Sequence, residues 1–462
     1  MRAIFGRARA LLPRRFAKDV GALTLANIVV GVVGLAQGLV VARWLGPQGY
    51  GLAALIMSYP GFVLSIVSFR TGQGAVKYMG EFAAVGRRDQ LLALCRFSYA
   101  LNLAVALLTL VIVAVTARWV EGSLLKTAGT GGLLILFTAA YVPASFAEAS
   151  VAVFSTLGRF RTLAWIRAGT TLFRLGAVVL LLWAGYGAAG VVGAAAMTMG
   201  LRGILLLVAS HRAVLIRWGG SWLRAPWDGL AGKWREVLGF FLYTNLTALV
   251  GVAVKQLDVL ALGYFQGPAM AGNYSLAKVF GTAIGSFGRT LQTVIYPRFA
   301  ALWGAGRVDE FRDVLRRAAI GLGLPLGAGF LLGLPLLPIL VPLVVGSRFA
   351  DAVPIIAVAY VMTAMSLALF WLRPWFLSTG RVRTWFGLSA ANSLFALIAF
   401  PIGAAVGSGL GVALARLAGR IIRNASAVVI VVRAGRAPGG DQDLTPARVP
   451  VPGGPPDASS SR

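Results

Sequence analysis

One cysteine, Cys95, and one histidine, His211, occur in 462 residues. A single cysteine excludes an intrachain disulfide. A single histidine, set in a basic loop, removes the usual basis for a His-ligated metal centre or a His-based catalytic dyad. Acids are scarce as well: 15 Asp and Glu stand against 43 Lys and Arg, for a net charge of +28. Charged residues of both signs make up only 13% of the chain, where a soluble domain carries about 25%. An ordinary soluble domain is therefore excluded, and no cofactor or metal is expected.

Apolar residues are abundant, at 58%, with a mean hydropathy of +0.80. They fall in continuous runs of about 20 residues, the length of a bilayer-crossing helix. The ten-residue alternation of a membrane β-barrel is missing. The expected fold is an all-α polytopic membrane protein with about twelve transmembrane helices. Their approximate limits are 20–41, 50–70, 92–116, 131–153, 163–184, 187–208, 237–258, 271–296, 318–345, 352–372, 385–405 and 408–432.

The basic residues are distributed unevenly. The loops at 71–90, 154–162, 209–236, 297–317 and 373–384, together with both termini, hold more than half of the Lys and Arg residues. The opposite side holds four: Arg43, Arg118, Lys126 and Arg348. By the positive-inside rule both termini are cytoplasmic, in a cell (inner or plasma) membrane. The rule accounts for the positive charge, so no nucleic-acid partner is expected. Arg14-Arg15-Phe16 faintly echoes a twin-arginine signal, but no small-residue cleavage site follows, and residues 1–19 read as a basic cytoplasmic N-terminus. The domain reading places a first six-helix bundle at 20–208, a basic cytoplasmic linker at 209–236, a second bundle at 237–432 and a Pro-, Gly- and Ser-rich disordered tail at 433–462.

The two halves match at a nearly constant offset of about 220 residues. Leu45-Gly46-Pro47 with Gly49-Tyr50 recurs as Gln266-Gly267-Pro268 with Gly272-Asn273-Tyr274. Arg70-Thr71-Gly72-Gln73 recurs as Arg289-Thr290-Leu291-Gln292. Gly86-Arg87-Arg88-Asp89 recurs as Gly306-Arg307-Val308-Asp309, and Gly158-Arg159-Phe160-Arg161-Thr162 as Gly380-Arg381-Val382-Arg383-Thr384. Six spans separate each pair, so the repeat is parallel. Two such bundles facing each other enclose a central cavity, and rocking them gives alternating access.

Charges inside the spans mark the candidate site. Each costs roughly 2.5–3.5 kcal/mol at a helix centre, so such residues face the bundle interior or a water-filled cavity. The substrate-binding candidates are Arg70, Arg174, Lys255, Lys278, Arg289, Arg416 and Arg420. Arg416 and Arg420 lie at i and i+4, on one face of the last span. Arg70 and Arg289 occupy equivalent repeat positions. Facing inward, these groups form a cationic track for an anionic headgroup, and arginine can grip phosphate oxygens with both arms of its fork. Glu148 and Asp258 are the acids well inside the spans. They serve either ion coupling or as counter-ions, a local Lys255–Asp258 pair being one option. The prolines Pro325, Pro335, Pro338 and Pro342 bend a gating helix or mark irregular packing.

Ala42–Gly51 (ARWLGPQGYG) reads physically as a tight turn: Pro presets φ and Gly permits positive φ. With the block from Gln256-Leu257-Asp258 to Gly272-Asn273-Tyr274 and with Tyr296-Pro297-Arg298-Phe299-Ala300, it carries a resemblance. The chain resembles the polysaccharide (O-antigen) flippase family of the multidrug/oligosaccharidyl-lipid/polysaccharide exporter superfamily, over about residues 17–432. The resemblance implies transport without covalent chemistry of a polyprenyl-pyrophosphate-linked oligosaccharide, from the inner to the outer leaflet, for polysaccharide or lipopolysaccharide biosynthesis. The implied partners are that glycan, membrane lipids, a polysaccharide polymerase and glycosyltransferases. A cation-coupled drug exporter and a peptidoglycan-precursor flippase of the same superfamily stay open as alternatives, as does a membrane glycosyltransferase or polymerase.

Overall fold

The computed structural model describes residues 14–68, 71–230 and 232–436. The tail beyond 436 and Arg70 lie outside the described residues. Among those described the chain is helical throughout its ordered elements, with no strand. In the first half, α1 is Arg14–Val67, α2 Thr71–Ala84, α3 Arg88–Val120, α4 Gly131–Ala139, α5 Tyr141–Ala144, α6 Phe146–Thr156, α7 Phe160–Trp183 and α8 Gly187–Trp218. In the second half, α9 is Trp234–Gln266, α10 Pro268–Gly304, α11 Val308–Arg316, α12 Leu324–Leu331, α13 Leu337–Val345, α14 Val353–Ala368, α15 Leu372–Ser378 and α16 Val382–Arg436.

Among the described residues, eight helical stretches are long and apolar enough to cross a membrane. In the Phe160–Trp183 stretch only 17% of the apolar window is buried. An apolar belt exposed to that degree suits lipid and not water. The protein is a multi-pass membrane protein.

Two of the helices, α1 and α16, are long enough for two crossings each. α1 has 54 residues and would be about 80 Å long if straight, against a hydrocarbon core of about 30 Å. It turns at Gly46 (φ 67°, ψ 179°), a region of backbone space open essentially to glycine alone. Beyond the turn, the Tyr50 hydroxyl lies 3.8 Å from where a Cβ on Gly38 would stand, so the arms fold back. α9 and α10 are joined in the same way, by Gly267 (φ 87°, ψ 179°) followed by Pro268. Each time, glycine supplies the reversal and proline starts the next helix, where its missing N–H costs nothing. α16 turns at Ser408 (φ 58°, ψ −150°), and Gly403 and Gly411 close against each other across that turn.

The two turn motifs pack on each other reciprocally. A Cβ on Gly51 would lie 1.7 Å from the Pro268 carbonyl oxygen, and one on Gly272 would lie 2.1 Å from that of Pro47. Tyr50 meets Phe349 edge-on, with ring centroids 6.4 Å apart. Arg43 points an Nη1 at the Leu343 and Val344 carbonyls, both at 3.4 Å, at the C-terminal end of α13 where a cation is favoured. One large core, with Leu55, Ile56, Leu262, Tyr274, Phe349 and Ile355 among its members, joins both halves here. Further along, each half keeps a core of its own, around Tyr78, Phe82, Cys95 and Tyr99 in the first and around Phe299, Phe311, Trp375 and Phe376 in the second.

Helices extend into stretches that read as loops. α2 occupies most of 71–90, and α8 runs on to Trp218. The chain after α8 then lies back on the first half: Trp222 is buried and stacks on Tyr99 with ring centroids 4.3 Å apart. Arg96 donates to the Ala225 carbonyl at 2.5 Å and sits over the Trp227 ring. The proline-rich span is broken into a π-helical turn, α12, a short 3-10 turn and α13.

Candidate functional site

α10, α14 and the second arm of α16 enclose a cavity of about 300 Å³. Lys278 and Arg289 reach it from α10, and Arg416 and Arg420 from α16. Their spacing explains this. Arg416 and Arg420 are one turn apart, and Lys278 and Arg289 are separated by three turns. Gly281 and Gly285, between the two α10 cations, hold no side chain over the opening. Gln292, Thr363 and Ser366 add neutral polar atoms, and Tyr274, Ile355, Ala359 and Met362 complete the wall.

Asp258 stands behind this wall, fully buried. Its Oδ1 accepts from Lys278 Nζ at 3.0 Å and from the Val259 backbone N–H at 2.8 Å. Its Oδ2 is 2.7 Å from Arg416 Nη2, a charge contact without hydrogen-bond alignment. Lys278 Nζ also donates to the Lys255 carbonyl at 2.9 Å. One carboxylate thus ties α9, α10 and α16 together, and removing it would leave two cations unpaired in a low-dielectric setting, at a cost of about 3–5 kcal/mol. The Lys278 and Arg416 side chains nevertheless keep 27% and 24% of their surface exposed.

The other two cations are held differently. Arg420 donates to Ser366 Oγ at 2.9 Å and towards the Met362 carbonyl at 3.3 Å. Both acceptors are neutral, so its charge is uncompensated. The Arg289 side chain is exposed and has no ion-pair partner among the described residues. Four cations therefore face a single carboxylate: three net positive charges line one small cavity. Such a site attracts and orients an anion bearing several oxygens.

Four of the seven cations read from the sequence come together here. Lys255 is exposed and contributes its carbonyl, and the local Lys255–Asp258 pair is replaced by pairs to Lys278 and Arg416. Arg174 lies in the first half beside Tyr50, its Nε buried with no hydrogen-bond partner among the described residues. Glu148 is also in the first half, where it accepts the Gly72 backbone N–H at 3.0 Å. A carboxylate at the first turn of α2 acts as a cap for that helix. Ser366 and Gln292 were not singled out in sequence. Ser366 is one turn from Met362, and nothing distinguishes it from other serines until α14 is seen to face α16.

No curated protein matches the chain. Among solved structures, the lipid II flippase MurJ in an inward closed conformation superposes with a TM-score of 0.68 at 13% identity, covering 89% of this chain and 87% of that one. An inward-facing multidrug resistance MATE family transporter of the MOP superfamily gives 0.57 at 13% identity, covering 89% and 94%. The Vibrio cholerae MATE transporter VcmN in its bent form gives 0.53 at 14% identity, covering 90% and 96%. At these identities the likeness establishes a shared fold. A family described as polysaccharide biosynthesis protein matches residues 16–303, more than half of the sequence. The chain belongs to that family, in agreement with the resemblance carried by its turn motifs.

Proposed function

We propose that the protein is a flippase that moves an anionic, polyprenyl-pyrophosphate-linked oligosaccharide across the cell membrane by alternating access, without covalent chemistry. The observation that carries this reading is the cavity with Lys278, Arg289, Arg416 and Arg420 on its wall and one buried carboxylate behind it. A pyrophosphate offers several acceptor oxygens to donors of this kind, and the arginine fork suits them. The polyprenyl tail stays in lipid.

Direction follows from charge. The basic loops point to cytoplasmic termini. An inside-negative potential drives an anion outward by about 2.3 kcal/mol per charge per 100 mV, so two net charges gain roughly 4–5 kcal/mol. That drive needs no coupled cation. It is consistent with Asp258 being engaged by two cations and Glu148 by a helix terminus. A drug exporter for cationic substrates fits poorly, because three net positive charges repel them.

The test is transport in proteoliposomes. Arg289→Ala and Arg420→Ala should each lower the flipping rate of a prenyl pyrophosphate carrying one sugar by at least about tenfold, with the folded protein recovered in normal yield. Unchanged rates in both would remove the cavity from the proposal.

A further inference from the structure

Asp258 has no route of its own into the cavity, being fully buried, yet its two partners do. Lys278 and Arg416 each present one side to the carboxylate and leave about a quarter of their surface open. A bound anion would meet the same two cations from the other side. The carboxylate and the anion therefore share them. The nearby Arg420 rests on neutral acceptors and Arg289 has no carboxylate partner among the described residues. So the wall has two kinds of cation: two that answer only to the ligand, and two whose charge is already half spent.

From this arrangement we infer that Asp258 is a positioning residue that limits how tightly the cavity holds its anion, and so permits release. The inference rests on the anion-flippase reading. A transporter must bind its cargo and then let it go. A cavity with four uncompensated cations would hold a pyrophosphate too firmly to turn over. Asp258 offsets one unit of that charge and offers Lys278 and Arg416 a partner to return to when the anion departs. It also keeps the empty cavity from collapsing or recruiting stray anions, because the two cations are never unpaired.

Asp258→Asn removes the charge at nearly constant volume. The amide oxygen can still accept from Lys278 Nζ and the Val259 N–H, its NH2 replaces Oδ2 and gives up the Arg416 pair, and the cavity gains one net positive charge. The probe is inorganic pyrophosphate, titrated against purified full-length protein in detergent, alongside flipping kinetics with the sugar-bearing prenyl pyrophosphate. Asp258→Asn should bind pyrophosphate roughly tenfold tighter or more, as expected for removing a like charge close to the ligand at an effective dielectric near 20. In transport, KM and kcat should both fall. A purely structural Asp258 would instead reduce kcat and yield together and leave affinity the same or weaker. The comparison is repeated in a Lys278→Gln background, where only Arg416 depends on the carboxylate and folding is less exposed to its loss. There too, adding Asp258→Asn should raise pyrophosphate affinity. If wild-type protein fails to bind pyrophosphate at all, the anion-flippase reading itself falls. If wild-type binds and Asp258→Asn binds no tighter in either background, the release role of Asp258 is wrong while the flippase reading stands.

Discussion

A methyl group on Gly51 is the smallest perturbation that reaches the joint between the two halves. It would stand 1.7 Å from the Pro268 carbonyl oxygen and 2.7 Å from the Gly272 nitrogen. Ordinary contact for such a pair begins near 3.4 Å, so the two backbones must separate by more than 1 Å. Both neighbours are main chain, and no side chain can swing aside to make room. Overpacking of this kind costs about 1–3 kcal/mol. If the joint parts during the transport cycle, only the closed state bears that cost, and its population relative to the open state drops roughly 5- to 150-fold. The buried position of Cys95, the sole cysteine, allows a clean reporter. Ala271→Cys places a thiol in the joint, where the native side chain has no exposed surface. In detergent, Gly51→Ala should accelerate labelling of that thiol by a maleimide at least about tenfold, and Gly272→Ala, with its methyl 2.1 Å from the Pro47 oxygen, should do the same. Labelling rates and thermal stability that match the glycine parent would refute the reasoning, since they would mean the joint has slack that the geometry does not allow.

Two further substitutions probe the frame around the site. Ser408 holds a positive φ of 58° with ψ −150° at the reversal of α16, so Ser408→Gly should stabilise the protein by about 1 kcal/mol, read as a higher melting temperature in detergent. Trp222→Ala should destabilise the first half by about 3 kcal/mol, because Trp222 is buried and stacked on Tyr99; proteolysis between α8 and α9 would report the released segment as a faster cut.

The membrane class and the Gly-Pro turns were legible because each depends on local chemistry. Apolar run length needs no tertiary context, and glycine followed by proline limits the backbone to few conformations, which Gly46 and Gly267 then adopt. The cationic face of α16 was legible too, since Arg416 and Arg420 are fixed on one side by helical spacing alone. The Asp258 cluster was not. Its two partners come from helices 20 and 158 positions further along the chain, and only the packing of α9, α10 and α16 selects them over Lys255, three residues away. The reciprocal contact of Gly51 with Pro268 and of Gly272 with Pro47 was hidden for the same reason. Each motif declares its own turn, but not that it will close on its counterpart. The sequence suggested a cavity between the halves without saying which helices would wall it; among the described residues, those around the four cations come from the second half. Arg174 and Glu148 were singled out on the same ground, a charge inside a span, yet neither lines that cavity: Arg174 lies beside Tyr50, and Glu148 accepts from the start of α2.

Arg289 and Arg420 are proposed to move an anion across the bilayer. The most direct measurement reconstitutes the protein in liposomes loaded on one leaflet with a sugar-bearing prenyl pyrophosphate and follows its arrival on the other with a phosphodiesterase that cleaves the pyrophosphate bridge and is confined to that side, under an imposed membrane potential. Wild-type protein should deliver the lipid to the enzyme, faster when the receiving side is positive, and the Arg289→Ala, Arg420→Ala double variant should deliver it no faster than protein-free liposomes. Delivery by the double variant at the wild-type rate, or a wild-type rate indifferent to the potential, would contradict the account.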